Sequence, residues 1–326
     1  MNILVTGGTG FIGSHLVEQL HAQGHRVRCV AKDAMFAPVL QALGCELVLA
    51  DLNRPGLWES ALDGVEAVYH VAGVTRSRTP SEFYEGNFHA TKTVVERCLA
   101  AGSKIRHFIY VSSLSATGPS AIGSPVCEDA PYHPVSDYGK SKMLAESVVL
   151  KAQDRLPVTI IRPSAVYGPR ERDMYDYIKA IRRGCALMIG LHDKLMSLIH
   201  VDDLVRGIMH AAASDPAIGR TYFLGSECFY SIRELSATIA RVLDRRVFRL
   251  HLPHCLVYSV GGAATLAGKV TGAQVFFNLN KAREAVQPAW TCSVDRAKSE
   301  LGFRQEVSLE AGMRSTCRWY YDNGWM

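Results

Sequence analysis

Short apolar runs alternate with amphipathic stretches along the first half of the chain. Residues 2–7 have the continuous apolar character of a buried strand, and 11–24 repeat apolar side chains at helical spacing before a glycine. Further strands are predicted at 26–31, 45–51, 67–73, 107–113 and 158–166, and further helices at 87–101 and 138–153. This alternation predicts an α/β fold with a doubly wound parallel sheet, whose ligands bind at the carboxyl ends of its strands.

The second half of the chain is less regular. Helices are predicted near 173–183, after 199–204 and at 231–243, where Ser231 and Glu234 have the spacing of a capping box. No linker rich in Pro, Gly or Ser separates the halves, and we find no internal repeat. These features predict a smaller C-terminal lobe packed over the sheet.

One later stretch, residues 250–268, contains no Asp, Glu, Lys or Arg. It is long enough to raise the question of a membrane, but Pro253, two histidines and a pair of glycines dilute its apolar character. The simpler interpretation is an apolar helix that packs in the second lobe or lines a pocket. Peripheral membrane contact through 250–280 is the alternative.

Composition narrows the class of protein. The 326 residues, with 48% hydrophobic and 21% charged side chains, suit one large domain or two that share a core. The net charge of +5 is mildly basic, without a basic run that would indicate nucleic-acid binding. Nine scattered cysteines without a C-x-x-C pair argue against a disulfide framework or a zinc site and favour a reducing compartment. Because no signal-like segment opens the sequence, we expect a cytoplasmic protein, with membrane association as the alternative.

A glycine-rich loop, TGGTGFIG, follows the first predicted strand and opens the first predicted helix. Gly7, Gly10 and Gly13 are spaced three apart. Such glycines permit a tight turn, a close approach of the backbone to a pyrophosphate, and close packing of helix on sheet. Backbone N–H groups at the helix start, where Phe11 and Ile12 lie, would hold the phosphates. The context predicts dinucleotide binding by a Rossmann-type sheet; the alternative is a glycine turn kept for packing.

The end of the second predicted strand bears on the choice of nicotinamide cofactor. An acidic residue there would accept the ribose hydroxyls and favour NAD. The chain has Ala31 at the usual position of that acid, followed by Lys32 and Asp33. A cation suits a 2′-phosphate, with Arg28 placed to assist, so NADP is favoured over NAD. In the competing interpretation Asp33 binds the ribose and Lys32 is merely solvated.

Three polar side chains are expected to converge near the nicotinamide. Ser112 and Ser113 end the fifth predicted strand, at the edge where the active site of such a sheet belongs. Tyr138 and Lys142 lie four positions apart, on one face of a helix. A phenol titrates near pH ~10 and becomes a useful acid–base group only when a nearby cation stabilises its phenolate. The alternative is a solvated helix start.

Taken together, these motifs resemble the extended short-chain dehydrogenase/reductases of the NAD-dependent epimerase/dehydratase superfamily. The resemblance covers nearly the whole chain, strongly to about residue 205 and more loosely afterwards. It rests on the glycine loop, Asp51-Leu52, HVAG at 70–73, Asn87, Ser113, the Tyr138/Lys142 pair, RPSAVYGPR at 162–170 and IHVDDL at 199–204.

The resemblance implies a role for each matching residue. Tyr138 would be the general acid–base, Lys142 would lower its pKa and bind the nicotinamide ribose, and Ser113 would hold the substrate oxygen. Ser113 is preferred to Ser112 because it lies five residues before Gly118, as the family's catalytic residue does before its own glycine. Further cofactor contacts are implied for Asp51 and Leu52 at the adenine, for Val71, Ala72 and Gly73 along the adenosine and pyrophosphate, and for Pro163 and Val166 near the carboxamide.

Two matching residues have simpler interpretations. Asn87 could merely cap a helix. His70 is more often a hydrogen-bonded strand residue than a catalyst.

The substrate is less well determined. Sugar-nucleotide enzymes of the superfamily usually carry an arginine shortly before the IHVDD-type segment, to grip the diphosphate. Here Ser197 stands at that place. Dehydratases usually place an acidic pair after the catalytic Ser/Thr, whereas Leu114 and Ser115 follow Ser113. Both departures weaken the interpretation as a sugar-nucleotide epimerase or dehydratase.

An oxidoreductase acting on an apolar small molecule, similar to the 3β-hydroxysteroid dehydrogenases, is favoured. The apolar stretches 250–268 and 270–279 suit a cover over such a ligand. The segments SSLSATGP and WYYDNGWM also look more like that branch. A different class, a non-catalytic dinucleotide-binding regulator, remains as a further alternative.

The domain organisation follows from these assignments. We expect a dinucleotide-binding domain over 1–170, with later segments such as 195–225 returning to it, and a mainly substrate-binding lobe over 171–326. Many relatives dimerise through two helices per subunit, and the helices predicted at 87–101 and 138–153 could form such a homodimer.

Overall fold

The computed structural model describes residues 1–32, 34–54, 56–102, 104–271 and 277–326. Asp33, the competing ribose ligand, lies outside the described residues. Residues 272–276, half of the predicted apolar segment 270–279, lie outside them too.

The strands and helices alternate through the first half of the chain. The strands are β1 (Asn2–Thr6), β2 (Arg26–Ala31), β3 (Glu46–Leu49), β4 (Ala67–His70), β5 (His107–Val111), β6 (Val158–Pro163), β7 (Ala165–Tyr167), β8 (Cys185–Ile189), β9 (Leu195–Met196), β10 (Leu198–His200), β11 (Thr221–Leu224), β12 (Tyr230–Ser231), β13 (Phe248–Leu252) and β14 (Ala289–Trp290). The α-helices are α1 (Phe11–Ala22), α2 (Ala37–Ala42), α3 (Pro80–Phe83), α4 (Ala90–Ala101), α5 (Leu114–Thr117), α6 (Asp137–Lys151), α7 (Asp173–Arg182), α8 (Val201–Ala212), α9 (Ile232–Val242), α10 (His254–Thr271), α11 (Leu279–Ala285), α12 (Asp295–Leu301) and α13 (Leu309–Asp322).

The central sheet has seven parallel strands in the order β11-β6-β5-β4-β1-β2-β3. The strand order reverses between β1 and β4, and this is where a doubly wound sheet opens a crevice at the carboxyl ends of its strands. The predicted Rossmann-type α/β fold is therefore confirmed.

Helices cover both faces of this sheet, which explains why its strands are apolar throughout. Ile3 and Val5 of β1 point into one core with α1 and α8, whereas Leu4 points into a second core that contains Trp58 and Val149. A parallel strand buried on both faces must carry apolar residues at consecutive positions, and β1 does.

Three predicted boundaries are wrong in detail. The single strand predicted at 158–166 is split at Ser164, because after Pro163 the chain leaves the central sheet and β7 pairs with β10. The helix predicted at 87–101 is preceded by a π-helical turn, Tyr84–His89. The stretch 250–268 begins as a strand, and Pro253 separates β13 from α10.

The second half builds a smaller lobe with its own core. Ile178, Leu235, Ile239 and Met313 pack together there, from helices α7, α9 and α13. The capping box predicted at the start of α9 is present, since Ser231 and Glu234 each accept a backbone N–H of the other. Strand β11 returns to the central sheet from within the stretch 195–225. The domain boundaries at 170 and 171 stay a prediction.

Candidate active site

The glycine loop between β1 and α1 has the shape of a phosphate cradle. Gly7 has a φ of 73°, and a Cβ there would lie 2.7 Å from the Ala72 backbone. A Cβ on Gly13 would overlap the Gly7 carbonyl oxygen, and one on Gly10 would lie 3.2 Å from it. Only residues without a side chain let α1 start this close to the sheet.

The start of α1 is open to an anion. Gly10 is the N-cap, no side chain caps the helix, and its first turn contains no acidic residue. The N–H groups of the first turn, which begins at Phe11 and Ile12, have no partner within the helix by construction. These N–H groups lie at the positive end of the helix dipole, which is suited to binding a pyrophosphate. The residues present thus fit a dinucleotide.

The adenosine end is formed by the ends of β2 and β3. Ala31 is buried, and Lys32 is 77% exposed beside it. The Lys32 ammonium lies 2.9 Å from a carboxylate oxygen of Asp51, so two residues assigned separately to the cofactor are in contact with each other. Leu52 is buried next to them. Burial tends to raise the pKa of Asp51, but hydrogen bonds from Lys32 and the Asn53 N–H leave it lowered overall.

His70 is a structural residue. Its ring nitrogens lie 2.6 Å from the Thr6 hydroxyl and 2.9 Å from the Thr91 hydroxyl, and burial lowers its pKa to about 3. The imidazole is therefore neutral at physiological pH. The simpler interpretation of this residue agrees with these contacts.

The loop after β4 passes beside the glycine loop. Val71 N–H donates to the Thr6 carbonyl at 3.2 Å, and Ala72 N–H reaches the Thr6 hydroxyl at 3.4 Å. A Cβ on Gly73 would lie 3.0 Å from Asn87 Oδ1 and 3.5 Å from Lys142 Nζ. The adenosine and pyrophosphate path predicted for 71–73 thus runs into the predicted catalytic residues.

Asn87 does more than cap a helix. It is buried in the π-helical turn, where its amide accepts from the Val74 N–H at 2.7 Å and donates to the Val74 carbonyl at 3.0 Å. It also donates to the Ser141 hydroxyl at 2.9 Å. Asn87 therefore ties the loop after β4 to helix α6, and a π-helical turn often marks a functional site.

Ser113 and Tyr138 meet at the carboxyl end of β5. Ser113 caps α5 by accepting the Ser115 N–H at 3.1 Å, and its side chain lies close enough to Tyr138 to lower the pKa of the phenol. Tyr138 lies in the first turn of α6, whose N-cap is Ser136. A hydroxyl and a phenol are thus placed to share one substrate oxygen.

Lys142 lies one turn further along α6 and is buried. Its ammonium donates to the Val111 carbonyl at 2.7 Å and sits 4.7 Å from the centre of the Tyr110 ring. Burial lowers the pKa of Lys142 to about 7, against an opposing effect of Glu146. The lysine is therefore held at the carboxyl end of β5, and its contact with the nicotinamide ribose and its effect on Tyr138 stay predictions.

A charged cluster from the C-terminal lobe closes over Tyr138. Lys281 of α11 lies 3.4 Å from Glu284 and 3.7 Å from Asp173, and Asp173 also binds Arg76. Burial raises the pKa of Tyr138, as does the carboxylate of Glu284, whereas the neighbouring Ser113 side chain and the charge of Lys281 lower it. The side chains that set the charge around the phenol thus come from both halves of the chain.

The same lobe holds the start of the catalytic helix. The Ser136 hydroxyl donates to Glu284 at 2.6 Å while it accepts the Gly139 N–H, and Asn280 accepts the Asp137 N–H at 3.1 Å. This contribution of α11 is not predicted from the sequence. Its only local signal is the i, i+3 spacing of Lys281 and Glu284, which many solvated helices share.

The far wall of the crevice is formed where β6 ends. Pro163 is the last residue of β6, and Val166 is half-buried in β7. Between them the hydroxyl of Ser164 is buried and has no hydrogen-bond partner among the described residues. A buried hydroxyl without a partner is costly, so this position fits a polar group such as a carboxamide.

Ser197, at the place where an arginine would grip a diphosphate, is sealed in the core. Its hydroxyl accepts the Cys292 N–H at 3.2 Å, and its own N–H donates to Trp290. On the other side of the crevice, Leu114 is buried directly after Ser113.

Comparison with known proteins identifies the family. The model of the NAD dependent epimerase/dehydratase family matches residues 3–230. The chain belongs to this family. It is thus an oxidoreductase enzyme, as the motifs predicted.

Epimerase/dehydratase relatives resemble the chain over almost its whole length. It is 29% identical over 331 residues to a ceramide reductase of Caulobacter vibrioides, covering 99% of this chain and 96% of the relative. It is 30% identical over 332 residues to the human sterol-4-alpha-carboxylate 3-dehydrogenase (decarboxylating), covering 96% and 86%. The solved structure of MoeE5 in complex with UDP-glucose and NAD is 26% identical, with a TM-score of 0.78 and coverage of 99% of both chains.

Proposed function

We propose that the protein is an NADP-dependent oxidoreductase that transfers hydride to or from a carbonyl or hydroxyl carbon of an apolar, steroid- or lipid-like small molecule. The buried Ser197 carries the choice of substrate class, because this position supplies no cation for a diphosphate. The similarity to a ceramide reductase and a sterol dehydrogenase supports the same class. The MoeE5 complex supports the alternative, a sugar nucleotide.

The chain's own residues divide the work at the reacting carbon. Tyr138 donates its phenolic proton to the substrate oxygen in reduction, and accepts it back in oxidation. Ser113 holds that oxygen through its hydroxyl, within hydrogen-bonding reach of Tyr138. Lys142 anchors the ribose, and its protonated amine stabilises the Tyr138 phenolate. The bound nicotinamide supplies or accepts the hydride.

A substrate panel tests the proposed class. Purified protein is offered apolar ketones and hydroxy compounds on one hand, and UDP-sugars on the other, with turnover followed through nicotinamide absorbance. We expect apolar compounds to be turned over with a kcat/KM at least ~100-fold higher. Faster conversion of a UDP-sugar, together with a dinucleotide that stays bound through purification, would establish the epimerase alternative.

The preference for NADP rests on Ala31 and Lys32. No described side chain at the end of β2 offers a carboxylate to the ribose, and the exposed Lys32 can exchange Asp51 for a 2′-phosphate. We expect kcat/KM to be higher with NADPH than with NADH, and Lys32→Ala to reduce the ratio about 10-fold. Lys92→Ala, on the exposed face of α4, is the matched control and should leave the ratio unchanged. A preference for NADH that Lys32→Ala does not alter would refute the assignment.

Location and assembly are further proposals. No helix among the described residues is long and apolar enough to cross a membrane. We infer a cytoplasmic enzyme that dimerises through α4 and α6, whose outer surfaces include the half-buried Leu99, Leu144 and Val148. Light scattering on wild type and Leu144→Glu tests the dimer, since a charge at a packed interface should dissociate it.

A further inference from the structure

The C-terminal lobe exposes apolar side chains on a ribbon of two strands. β8 and β13 pair in parallel, with Leu187 opposite Leu250. Ala186 and Met188 are buried on the inner face of this ribbon, whereas Leu187, Leu250 and the 71% exposed Phe248 lie on the outer face. A solvent-facing strand surface normally carries polar residues at these positions.

Helix α10 continues this surface. Its inner stripe packs on α11: a Cβ on Gly261 would lie 2.9 Å from the Ala282 side chain, and the Thr265 hydroxyl accepts the Leu279 N–H at 2.9 Å. Its outer stripe is again apolar and exposed, including Leu256, Val260 and Leu266. We call these residues and the ribbon's outer face together the ribbon–helix face; it consists of Leu187, Phe248, Leu250, Leu256, Val260 and Leu266.

The ribbon and the helix are physically continuous. They are joined through Pro253, and a Cβ on Gly190, just after β8, would lie 2.7 Å from the His254 ring at the start of α10. Exposed apolar residues on two adjoining elements are unlike the scattered single residues of an ordinary surface. Such a surface is typical of an interaction site.

The charge around this face indicates the partner. Between Asp244 and Glu284 the sequence has no acidic residue but six Lys and Arg. The whole chain has 36 Lys and Arg against 31 Asp and Glu, so outside this segment the count is 30 against 31. Of these six, Lys281 is paired with Glu284 and Asp173 at Tyr138. Arg245 and Arg246 are exposed just before Phe248, and Arg249 is exposed on the side of β13 that Ala186 shares.

An apolar face bordered by arginines is complementary to an anionic lipid surface. Apolar side chains enter the headgroup boundary, and basic residues bind the anionic headgroups. We propose that the ribbon–helix face docks on the surface of an anionic lipid bilayer, with Arg245 and Arg246 at the headgroups.

Docking would place the active-site crevice beside the bilayer. Helix α10 lies on α11, and α11 carries Lys281 and Glu284 over Tyr138. Docking would therefore shorten the path of an apolar molecule from the bilayer to the crevice, which is a delivery role. This delivery role rests on the proposed function, whereas the docking itself does not.

Vesicle flotation of the full chain tests the docking. Wild type is mixed with vesicles of phosphatidylcholine alone, or of phosphatidylcholine with phosphatidylglycerol, at low and high salt. We expect binding to the anionic vesicles, weakened by salt, because each basic residue near the surface contributes about fivefold. A wild type that floats with neither vesicle overturns the proposal.

Three triple variants, each lowering the net charge by the same amount, locate the contact. The face variant is Phe248→Glu/Leu256→Glu/Leu266→Glu, and the basic variant replaces Arg245, Arg246 and Arg249 with Gln. The control, Leu49→Glu/Leu57→Glu/Ile122→Glu, changes residues that are 58%, 60% and 63% exposed elsewhere. The face and basic variants should lose at least ~10-fold in vesicle binding, and the control much less. Equal losses in all three overturn the assignment to this face.

Two further measurements separate the remaining outcomes. If wild type is a dimer that the face variant dissociates, and neither binds vesicles, the face belongs to a second copy and the proposal is wrong.

The delivery role is tested by comparing turnover of an apolar substrate in vesicles with turnover of a short soluble analogue. The face variant should lose turnover of the substrate in vesicles and keep turnover of the soluble analogue. An equal loss of the two activities overturns the delivery role. Vesicle binding by an enzyme that turns over only UDP-sugars would refute the proposed function and leave the docking intact.

Discussion

The apolar residues of the central sheet are buried, whereas many of those in the ribbon and helix α10 of the C-terminal lobe are exposed. In the central sheet, alternate residues of β1 enter cores on opposite faces, and Ile3, Leu4 and Val5 are all buried. In the ribbon and helix α10, comparable residues such as Phe248 and Leu266 are exposed. Burial on both sides gives a rigid frame for the reacting groups. Exposure on one side gives a surface that something else must cover.

The sheet and the C-terminal lobe therefore contribute to the site in different ways. The sheet fixes Ser113, Tyr138 and Lys142, whose positions follow from strand ends and one helix face. The lobe adds Lys281 and Glu284, which act on Tyr138 through charge and through Ser136. Changes to the first region should therefore affect the chemistry most strongly, and changes to the second should modulate it.

The largest effect is expected for Tyr138→Phe. Removal of the phenolic hydroxyl eliminates the proton donor, so kcat should fall by about 10³-fold. Dinucleotide affinity should change little, because the glycine loop is untouched; titration with the cofactor checks this. Tyr258→Phe, on the exposed side of α10, is the control. Unchanged turnover in Tyr138→Phe on a confirmed substrate would favour the non-catalytic regulator.

A smaller effect, in two opposite directions, is expected from the lobe. Lys281→Met removes a charge that lowers the pKa of Tyr138, and Glu284→Gln removes one that raises it. In the oxidation direction, where the phenolate is needed, the pH range over which kcat rises should move up for the first variant and down for the second. Both should also lose roughly 10-fold in kcat/KM through poorer positioning.

The control for this pair is Lys140→Met, an exposed lysine on α6. Its pH profile should match that of wild type. Shifts of Lys281→Met and Glu284→Gln in the same direction would show that the lobe does not act on Tyr138 through charge.

The smallest effect concerns thermal stability. Substitutions usually lower the stability of a protein, whereas this one is expected to raise it. Burial lowers the pKa of Lys142 to about 7, against about 10.4 in an unfolded chain. Between these values the unfolded chain binds more protons, so this lysine makes wild-type stability rise with pH. Lys142→Met should therefore raise Tm by a few degrees at pH 7, and the gain should shrink toward pH 10.

Thermal unfolding of wild type and Lys142→Met across this pH range measures the gain. The lost hydrogen bond to Val111 is independent of pH and shifts the whole curve. Lys140→Met should show no such trend. A gain that grows with pH would contradict the lowered pKa of the buried lysine.

Several features were predictable because they depend on local sequence. The glycine spacing at 7, 10 and 13 is a steric requirement of one turn, and the structure shows each close approach. The strand pattern follows from burial on both faces, and Tyr138 and Lys142 share a face because i and i+4 stack on any helix. Boundaries such as that at Ser164 were missed, because hydrogen bonding to β10 decides where β7 begins.

By itself the sequence therefore determined the fold, and it predicted the cofactor cradle and the reacting side chains. The tertiary structure decided which distant groups join them. Glu284 reaches Ser136 across 148 positions, and no periodic pattern encodes a contact of that range. It also decided that Ser197 is buried while the apolar face of α10 is exposed. Burial depends on what packs against a residue, and for α10 one stripe met α11 while the other was left facing outward.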